Sequence, residues 1–198
     1  MAHVEDKLIA AGLTPIAGVD EAGRGACAGP LVIAAVILRN QISELRDSKE
    51  LSEKKREELF PIICEQAEAI SIIEVAPNEI DERGVHAANL DGMRRAVEGL
   101  SVKPAYVLTD GYAIDGITAP SLAIWKGDQV AKCISAASII AKVTRDRIMV
   151  ELDTKYPQYG LVSHKGYITA NHTKALEEFG VTEIHRRSYA NIAALINK

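Results

Sequence analysis

The sequence has few cysteines, and they form no motif. Cys27, Cys64 and Cys133 are the only three in 198 residues, and they lie far apart with no C-x-x-C pair. A chain of this length buries roughly 70% of its unfolded surface and needs no disulfide to fold. An odd, scattered set therefore indicates reduced thiols, and we expect a cytoplasmic protein.

Long apolar runs are also missing. The longest, Leu31–Leu38, has eight residues, whereas a membrane-spanning helix needs about 20. The segment 1–13 carries acidic side chains early and has no uninterrupted apolar core. We therefore expect neither a membrane span nor a signal peptide.

An excess of positive charge is lacking as well. Lysine and arginine number 23 against 27 acidic residues, which gives a formal net charge of −4. Taken over the whole chain, this balance does not indicate a nucleic-acid binder. Carboxylates that bind cations would reverse their own contribution, so a local site for an anionic partner stays open.

What the sequence does contain is an alternation of apolar strands and amphipathic helices. The patterns predict strands near 15–20, 29–38, 70–75, 105–109 and 120–125. They predict helices near 52–69, 87–100, 130–155, 169–179 and 189–196, with a kink or a break at Pro61. Three strands followed by strand–helix alternation favour an α/β fold with one mixed sheet and helices against it.

Three aspartates close predicted strands. Asp20 ends IAGVD, Asp110 ends YVLTD and Asp128 ends LAIWKGD. Strand ends are where sites are built in open α/β sheets, and clustered carboxylates stay ionised only beside a cation. Oxygen ligands of this kind suit Mg²⁺ or Mn²⁺. The alternative is that each aspartate only forms a turn or caps a helix.

The residues after Asp20 extend this candidate site. On a regular strand Glu21 would face the side opposite to Asp20, so it joins the cluster only if the chain turns there or if its backbone carbonyl contributes. Gly23, Arg24 and Gly25 leave backbone N–H groups approachable. They form either a nest for phosphate or sugar or a tight turn in which Arg24 neutralises its acidic neighbours.

The predicted helix 130–155 carries a polar stripe. Ser135, Ser138, Lys142 and Arg145 share one helical face, and hydroxyls and cations in one line could follow a phosphate backbone. The alternative is a solvated face on which Lys142 pairs with the acid four residues later.

Two further features lie near the end of the chain. Tyr167, after His164 and Gly166, could stack on a base or sugar or pack as a lid on the core. His172 and His185 are interpreted as capping or packing residues and are left out of the metal site.

Six segments in order resemble the ribonuclease HII family, the type 2 ribonucleases H. They are GVDEAGRG, DSKELSEKKREEL, a strand ending in Asp-Gly, KGD, SAASIIAKVTRD and YPQYGLVSHKGYITANH. The resemblance extends from about Ile16 to Ala190. It implies a ribonuclease H-like fold in one domain, residues 1–198, with a mixed five-stranded sheet flanked by helices. A C-terminal helical segment, about 157–198, would help to bind substrate.

The resemblance also implies an activity. The chain would hydrolyse the RNA strand of RNA–DNA hybrids and cut 5′ of single ribonucleotides in duplex DNA, leaving 5′-phosphate and 3′-hydroxyl ends. Such cuts serve ribonucleotide excision repair and RNA primer removal. The implied catalytic residues and metal ligands are Asp20, Glu21, Asp110 and Asp128, which would hold two Mn²⁺ or Mg²⁺ ions with substrate.

The same resemblance implies the substrate contacts. Gly23, Arg24 and Gly25 would read the ribonucleotide 2′-OH largely through the backbone, and Tyr167 would stack on the sugar at the RNA–DNA junction. Lys49, Lys142 and Arg145 would be substrate-side cations. The sequence departs from the family pattern at Ala26, Gln129 and Trp125, among other positions, which puts the fine positioning near Asp128 in question.

Other functions stay open at this stage. The C-terminal NIAALINK shows no aromatic clamp-binding box, so we expect no sliding-clamp partner. No other protein partner is evident in the sequence, and we expect a monomer. A ribonuclease HIII-like enzyme without junction preference, a non-catalytic hybrid binder and a carboxylate-metal phosphatase for small substrates are the alternatives.

Overall fold

The centre of the molecule is a five-stranded mixed sheet. The computed structural model describes residues 4–40, 42, 44–45 and 51–196. In the sheet order β3-β2-β1-β4-β5, the strands are β1 Ile16–Ala22, β2 Leu31–Leu38, β3 Ala67–Val75, β4 Tyr106–Asp110 and β5 Ser121–Ile124. Neighbours are antiparallel from β3 to β1 and parallel from β1 to β5. The predicted mixed sheet of five strands is confirmed.

Helices cover the sheet on both faces. They are α1 Val4–Ala10, α2 Glu53–Gln66, α3 Pro77–Arg83, α4 Val85–Glu98, α5 Lys132–Lys155, α6 Leu161–His164, α7 Ala170–Phe179 and α8 Ala190–Ile196. Within the part of the chain that the structure describes, no helix combines the length and the apolar character needed to cross a membrane.

The interior strand β2 shows why helices pack on both faces of the sheet. Its side chains alternate between two cores: Ile33 and Ile37 pack with α4, whereas Val32 and Val36 pack with α2 and α5. Both sets are fully buried. A strand covered on both faces is apolar throughout, which explains the longest apolar run in the sequence.

The C-terminal helices form a cluster of their own. Residues of α7 and α8 pack with Tyr159, Leu161, Met149 and the loop at Cys27. The predicted helices 169–179 and 189–196 are present, each starting one residue later. The division into one catalytic domain with an appendage from about residue 157 stays a prediction.

The helix predicted over residues 52–69 ends three residues earlier in the structure. α2 ends at Gln66, and β3 begins at Ala67 because burial there already alternates with the period of a strand. α2 runs on through Pro61 without a break. Pro61 is exposed, so water can reach the carbonyl that loses its helical partner. The sequence patterns do not predict the short helices α1, α3 and α6.

Glu5 of α1 caps the N-terminus of α5 from across the fold. Its carboxylate is buried and accepts the N–H groups of Lys132 at 2.6 Å and Cys133 at 3.0 Å. The N-cap residue itself, Ala131, has no side-chain acceptor, so Glu5 takes over that role.

Loss of this cap has a measurable cost. We expect Glu5→Ala to lower the free energy of unfolding by about 1–2 kcal/mol, as measured by urea denaturation. Glu68→Ala, at an exposed position of β3, is the matched control and should change it by less than about 0.5 kcal/mol. Equal effects of the two substitutions would contradict the capping role.

Candidate active site

Two carboxylates meet at the carboxyl edge of the central strand pair. The parallel register of β1 and β4 places Val19 opposite Thr109, so the next step aligns Asp20 with Asp110. Both side chains are buried, with 2% and 9% exposed. The sheet therefore brings together two acids that lie far apart in the sequence.

Asp128 reaches the same edge by a different route. It does not end a strand, as the sequence pattern predicts, because β5 stops at Ile124 and Asp128 lies in a 3₁₀ turn, Gly127–Gln129. The backbone N–H of Gly127 donates to Asp110 Oδ1 at 2.8 Å, which fixes the turn beside β4. Asp128 itself is buried.

The start of α5, which follows the turn with Asp128, lies directly against β1. Contact is possible because Gly18 has no side chain. A Cβ built there would lie 2.1 Å from the backbone carbon of Cys133. Any side chain at residue 18 would therefore push the start of α5 away from β1.

Glu21 continues β1 rather than leaving it. The strand extends to Ala22, and Glu21 pairs in regular register with Ile33. The chain does not turn at Glu21, so the side chains of Asp20 and Glu21 belong to opposite faces. Both residues nevertheless line the same cleft, and the Glu21 N–H donates to Asp20 Oδ1 at 2.8 Å.

The donor set of this edge is uniform. All four acids offer hard carboxylate or carbonyl oxygens, the ligands that Mg²⁺ and Mn²⁺ prefer. Among the described residues, no three His, Cys, Asp or Glu side chains are already grouped as a metal site. The backbone register of β1 and β4 aligns only two of these acids, Asp20 and Asp110.

A cleft of about 340 Å³ opens beside Asp20. The residues that line it are Asp20, Glu21, Ala22, Gly23, Arg24, Gly25, Arg56, Ser138, Lys142 and Tyr167. This lining includes most of the residues that the sequence predicts for substrate binding. Sequence analysis did not predict Arg56 in the cleft, because its Lys-Lys-Arg run is typical of solvated surface. Lys49 lies outside the described residues.

The Gly23–Gly25 loop has a conformation that requires glycine at its first position. Gly23 has φ +87°, and a Cβ there would lie 1.8 Å from Arg145 Nε. At the other end, the Tyr167 ring lies 3.7 Å from a Cβ built on Gly25. The guanidinium of Arg24 lies 5.0 Å from the centre of the Tyr112 ring.

Arg145 is not in the cleft, although the sequence pattern predicts a substrate-side cation. It is fully buried and donates to three backbone carbonyls: Pro30 at 3.0 Å, Lys165 at 2.9 Å and Ala28 at 3.1 Å. Burial lowers the pKa of Arg145 to about 10, so it stays protonated at neutral pH. Its position ties the loop after β1 to the loop that carries Tyr167.

Arg186 is a second buried arginine that binds backbone carbonyls, and sequence analysis did not predict its burial. Its guanidinium donates to the carbonyls of Gly29 and Arg24 at 3.0–3.1 Å, and the Tyr189 hydroxyl donates to the same Arg24 oxygen. In the sequence it is half of an Arg-Arg pair, which is typical of surface. Nothing local distinguishes the buried arginine from the exposed Arg187.

The polar stripe of α5 is mostly interior. Ser135, Ser138 and Arg145 are buried, so a solvated face is wrong for these three residues, whereas the predicted ion pair of Lys142 with the acid four residues later is confirmed. Lys142 reaches the cleft and pairs with Asp146, Nζ to Oδ1, at 2.6 Å.

His172 and His185 are packing residues, as predicted, and they form a relay behind Tyr167. Both are buried. The Thr182 N–H donates to His185 Nδ1 at 3.1 Å, so His185 carries its proton on Nε2 and donates to His172 Nε2 at 3.3 Å. His172 Nδ1 then donates to the Tyr167 carbonyl at 3.1 Å. This chain works only with two neutral rings.

The relay makes stability depend on pH. Burial lowers the pKa of both rings, that of His185 to about 4. An unfolded histidine takes up its proton near pH 6.5, so falling pH favours the unfolded state between about 6.5 and 4 and has no such effect above it. We expect a loss of about 2–3 kcal/mol over this window, measured as urea midpoints from pH 7 to 4.

Two variants isolate the contribution of the relay. His185→Gln should flatten the pH profile, because its amide cannot be charged. His86→Gln, at an exposed histidine, should leave the profile as in the wild type. A His185→Gln profile identical to the wild type would rule out the relay as the cause.

A family model and known relatives match most of the chain. The family model described as Ribonuclease HII matches residues 17–192. The ribonuclease HII of Mycobacteroides abscessus is 57% identical over 185 residues, which cover 91% of this chain and 79% of that protein. That of Rhodococcus opacus is 53% identical over 199 residues, covering 98% and 88%.

Solved structures share the fold. The ribonuclease H2 of Pyrococcus horikoshii OT3 has a TM-score of 0.82 at 31% identity, covering 92% of this chain and 97% of that one. A PCNA:RNase HII complex from Archaeoglobus fulgidus gives 0.76 at 26% identity with the same coverage. Bst-RNase HIII, solved with Mn²⁺, gives 0.77 at 20% identity, covering 96% and 72%, and shows the fold alone.

Proposed function

The chain belongs to the ribonuclease HII family, a family of nucleases, and from this premise we propose a specific reaction. The protein is a metal-dependent endonuclease that cuts the RNA strand of RNA–DNA hybrids and the 5′ side of single ribonucleotides in duplex DNA. The products are 5′-phosphate and 3′-hydroxyl ends. The observation that supports this proposal is the carboxylate edge of β1 and β4 beside a glycine-lined cleft.

The acids fit divalent metal ions. Asp20, Glu21, Asp110 and Asp128 would hold two Mn²⁺ or Mg²⁺ ions. When bound, the ions supply a nucleophilic water and neutralise charge on the phosphate and the leaving oxygen. For Glu21, the regular strand favours the backbone carbonyl as ligand, since the side chain belongs to the other face.

The chain's own contribution is to hold these acids and the strand in place. The Gly127 N–H orients the Asp110 carboxylate, and the same turn carries Asp128. Movement of this turn would therefore disturb two ligands together. Lys142, at the mouth of the cleft, is in place to approach a substrate phosphate.

The backbone of the glycine loop supplies the means of recognising ribose. Within one trans peptide, the carbonyl and the next N–H point in opposite directions. The Arg24 carbonyl points inward to Arg186 and Tyr189, so the N–H of the exposed Gly25 points outward. This donor can bind a 2′-OH, which separates RNA from DNA whatever the base. Tyr167, 42% exposed, would then stack on the sugar next to it.

The test uses a labelled DNA duplex with one embedded ribonucleotide. We expect a single nick just 5′ of the ribonucleotide with Mn²⁺ or Mg²⁺, and none with chelator or with an all-DNA duplex. Cleavage of a long RNA–DNA hybrid without the junction nick would refute the junction role of Gly25 and Tyr167. Binding without any cleavage would make the chain a hybrid-binding module.

The partners follow from this proposal. They are RNA–DNA hybrids and ribonucleotide-containing DNA, and we propose that the protein acts as a cytoplasmic monomer. The Archaeoglobus fulgidus protein was solved in a complex with PCNA, and we propose no clamp partner for this chain.

A further inference from the structure

The only tryptophan of the chain, Trp125, is unusually exposed. Its exposed fraction is 82%, whereas the other exposed large hydrophobic side chains among the described residues reach at most 50%. Leu122 and Val130, on either side of it in the sequence, are 44% and 43% exposed. A large apolar surface left in water at one place marks a contact site.

Backbone contacts fix Trp125 at the edge that carries the acids. Its predecessor, Ile124, is the register partner of Asp110, and the Ile124 carbonyl accepts the Gly111 N–H at 2.9 Å. Two residues after Trp125, the Gly127 N–H donates to Asp110 Oδ1 at 2.8 Å. Trp125 therefore lies between two segments that are both bonded to the end of β4.

The sheet order places Trp125 on the flank away from the glycine loop. Asp20 and the cleft belong to β1, Asp110 to the next strand β4, and Trp125 follows the edge strand β5. Neighbouring strands are about 4.8 Å apart. A nucleic acid with its phosphate at the acids and its ribose in the cleft would thus pass close to Trp125.

The substrate needs contacts beyond the cleft. Interfaces with nucleic acid bury roughly 1,000 Å² or more of protein surface, so a bound duplex contacts the protein well beyond a single cleft that ten residues line. The flank has suitable chemistry, because Lys126 next to the indole is also exposed. An exposed aromatic ring beside a cation combines stacking with phosphate attraction.

We propose that Trp125 and Lys126 form a second nucleic-acid contact, on the far side of the acids from Tyr167. The indole packs against a sugar or base of the bound duplex, and Lys126 Nζ approaches a phosphate. This inference rests on the proposed function, since it takes the duplex at the carboxylate edge as the substrate.

Intrinsic fluorescence provides a direct test, because Trp125 is the sole tryptophan. The Asp110→Asn protein, which we expect to bind substrate and to cut it far more slowly, is titrated with a labelled RNA–DNA duplex whose binding is followed separately by anisotropy. We expect tryptophan emission to change in parallel with saturation. Emission that stays constant while anisotropy saturates would overturn the proposal.

Kinetics with exposed-site variants provide the second test. We expect Trp125→Ala to raise KM about tenfold with kcat within twofold, and Trp125→Phe to restore most of the loss. The thermal midpoint should not move, because the removed side chain is in water. Ile9→Ala, 49% exposed in α1, is the control and should keep the wild-type KM.

The outcomes separate this inference from the proposed function. If the wild type cuts neither a long RNA–DNA hybrid nor a DNA duplex with one ribonucleotide, the proposed function fails. If the wild type cuts and Trp125→Ala has the same KM, only the second contact fails. A Trp125→Ala protein with unchanged KM but altered sedimentation would show that the flank binds a second copy of the chain, which also overturns the proposal.

Discussion

Asp110→Asn is expected to reduce nicking of a duplex with one ribonucleotide by about 10³-fold while the fold stays intact. Loss of one charge-stabilising group in a preorganised site costs 10²–10³-fold, and here the lost charge would also hold a metal ion. The asparagine Oδ1 can still accept the Gly127 N–H, so the turn before α5 keeps its position. Initial nicking rates measured with Mn²⁺ and with Mg²⁺ test this expectation.

The control for this variant is a neighbouring acid. Asp115 lies in the exposed loop after β4, and Asp115→Asn should nick at the wild-type rate. Urea unfolding of both variants should agree with the wild type within about 0.5 kcal/mol. An Asp110→Asn protein that keeps a tenth or more of the wild-type rate would remove Asp110 from the catalytic set.

Arg145→Met is expected to lower the free energy of unfolding by about 3–5 kcal/mol. The methionine fills much of the volume but leaves the carbonyls of Ala28, Pro30 and Lys165 without their donor, and each unsatisfied buried acceptor costs about 1–3 kcal/mol. Lys142→Met, one turn earlier on α5, removes only a partly exposed ion pair worth about 1 kcal/mol or less. Urea denaturation of the two variants makes the comparison.

The salt dependence of duplex binding distinguishes an arginine that only holds backbone carbonyls from a lysine that contacts a phosphate. If Lys142 meets a phosphate, Lys142→Met should reduce the slope of log K against log salt for duplex binding by about 1. Arg145→Met should leave that slope unchanged among the molecules that stay folded. A stable Arg145→Met protein with a reduced slope would instead support the substrate contact that the sequence pattern suggested.

Apolar segments bounded by turn residues explain which strands could be predicted. The strands β1, β2 and β4 are buried almost throughout, so each is a short apolar run in the sequence. The strand-end rule then predicted one shared edge for Asp20 and Asp110, and the register of β1 and β4 agrees with it. The catalytic roles of these residues stay predictions.

The failures share a physical cause, which is that partners distant in sequence decide the outcome. Arg145 is a charged residue on a polar stripe, and only carbonyls from two other loops make its burial possible. Arg186 depends on Arg24 and Gly29 in the same way. Glu5 caps a helix that starts at Lys132. No sequence window contains both members of such pairs.

The parallel pairing of β1 with β4 also sets an order of events during synthesis. β1, β2 and β3 are consecutive antiparallel neighbours, so they can pair once the ribosome has released residue 75. Until β4 emerges, the edge of β1 that pairs with β4 presents unpaired N–H and C=O groups to which other chains can bind. β4, which carries Asp110, can dock only after synthesis has passed the antiparallel half of the sheet.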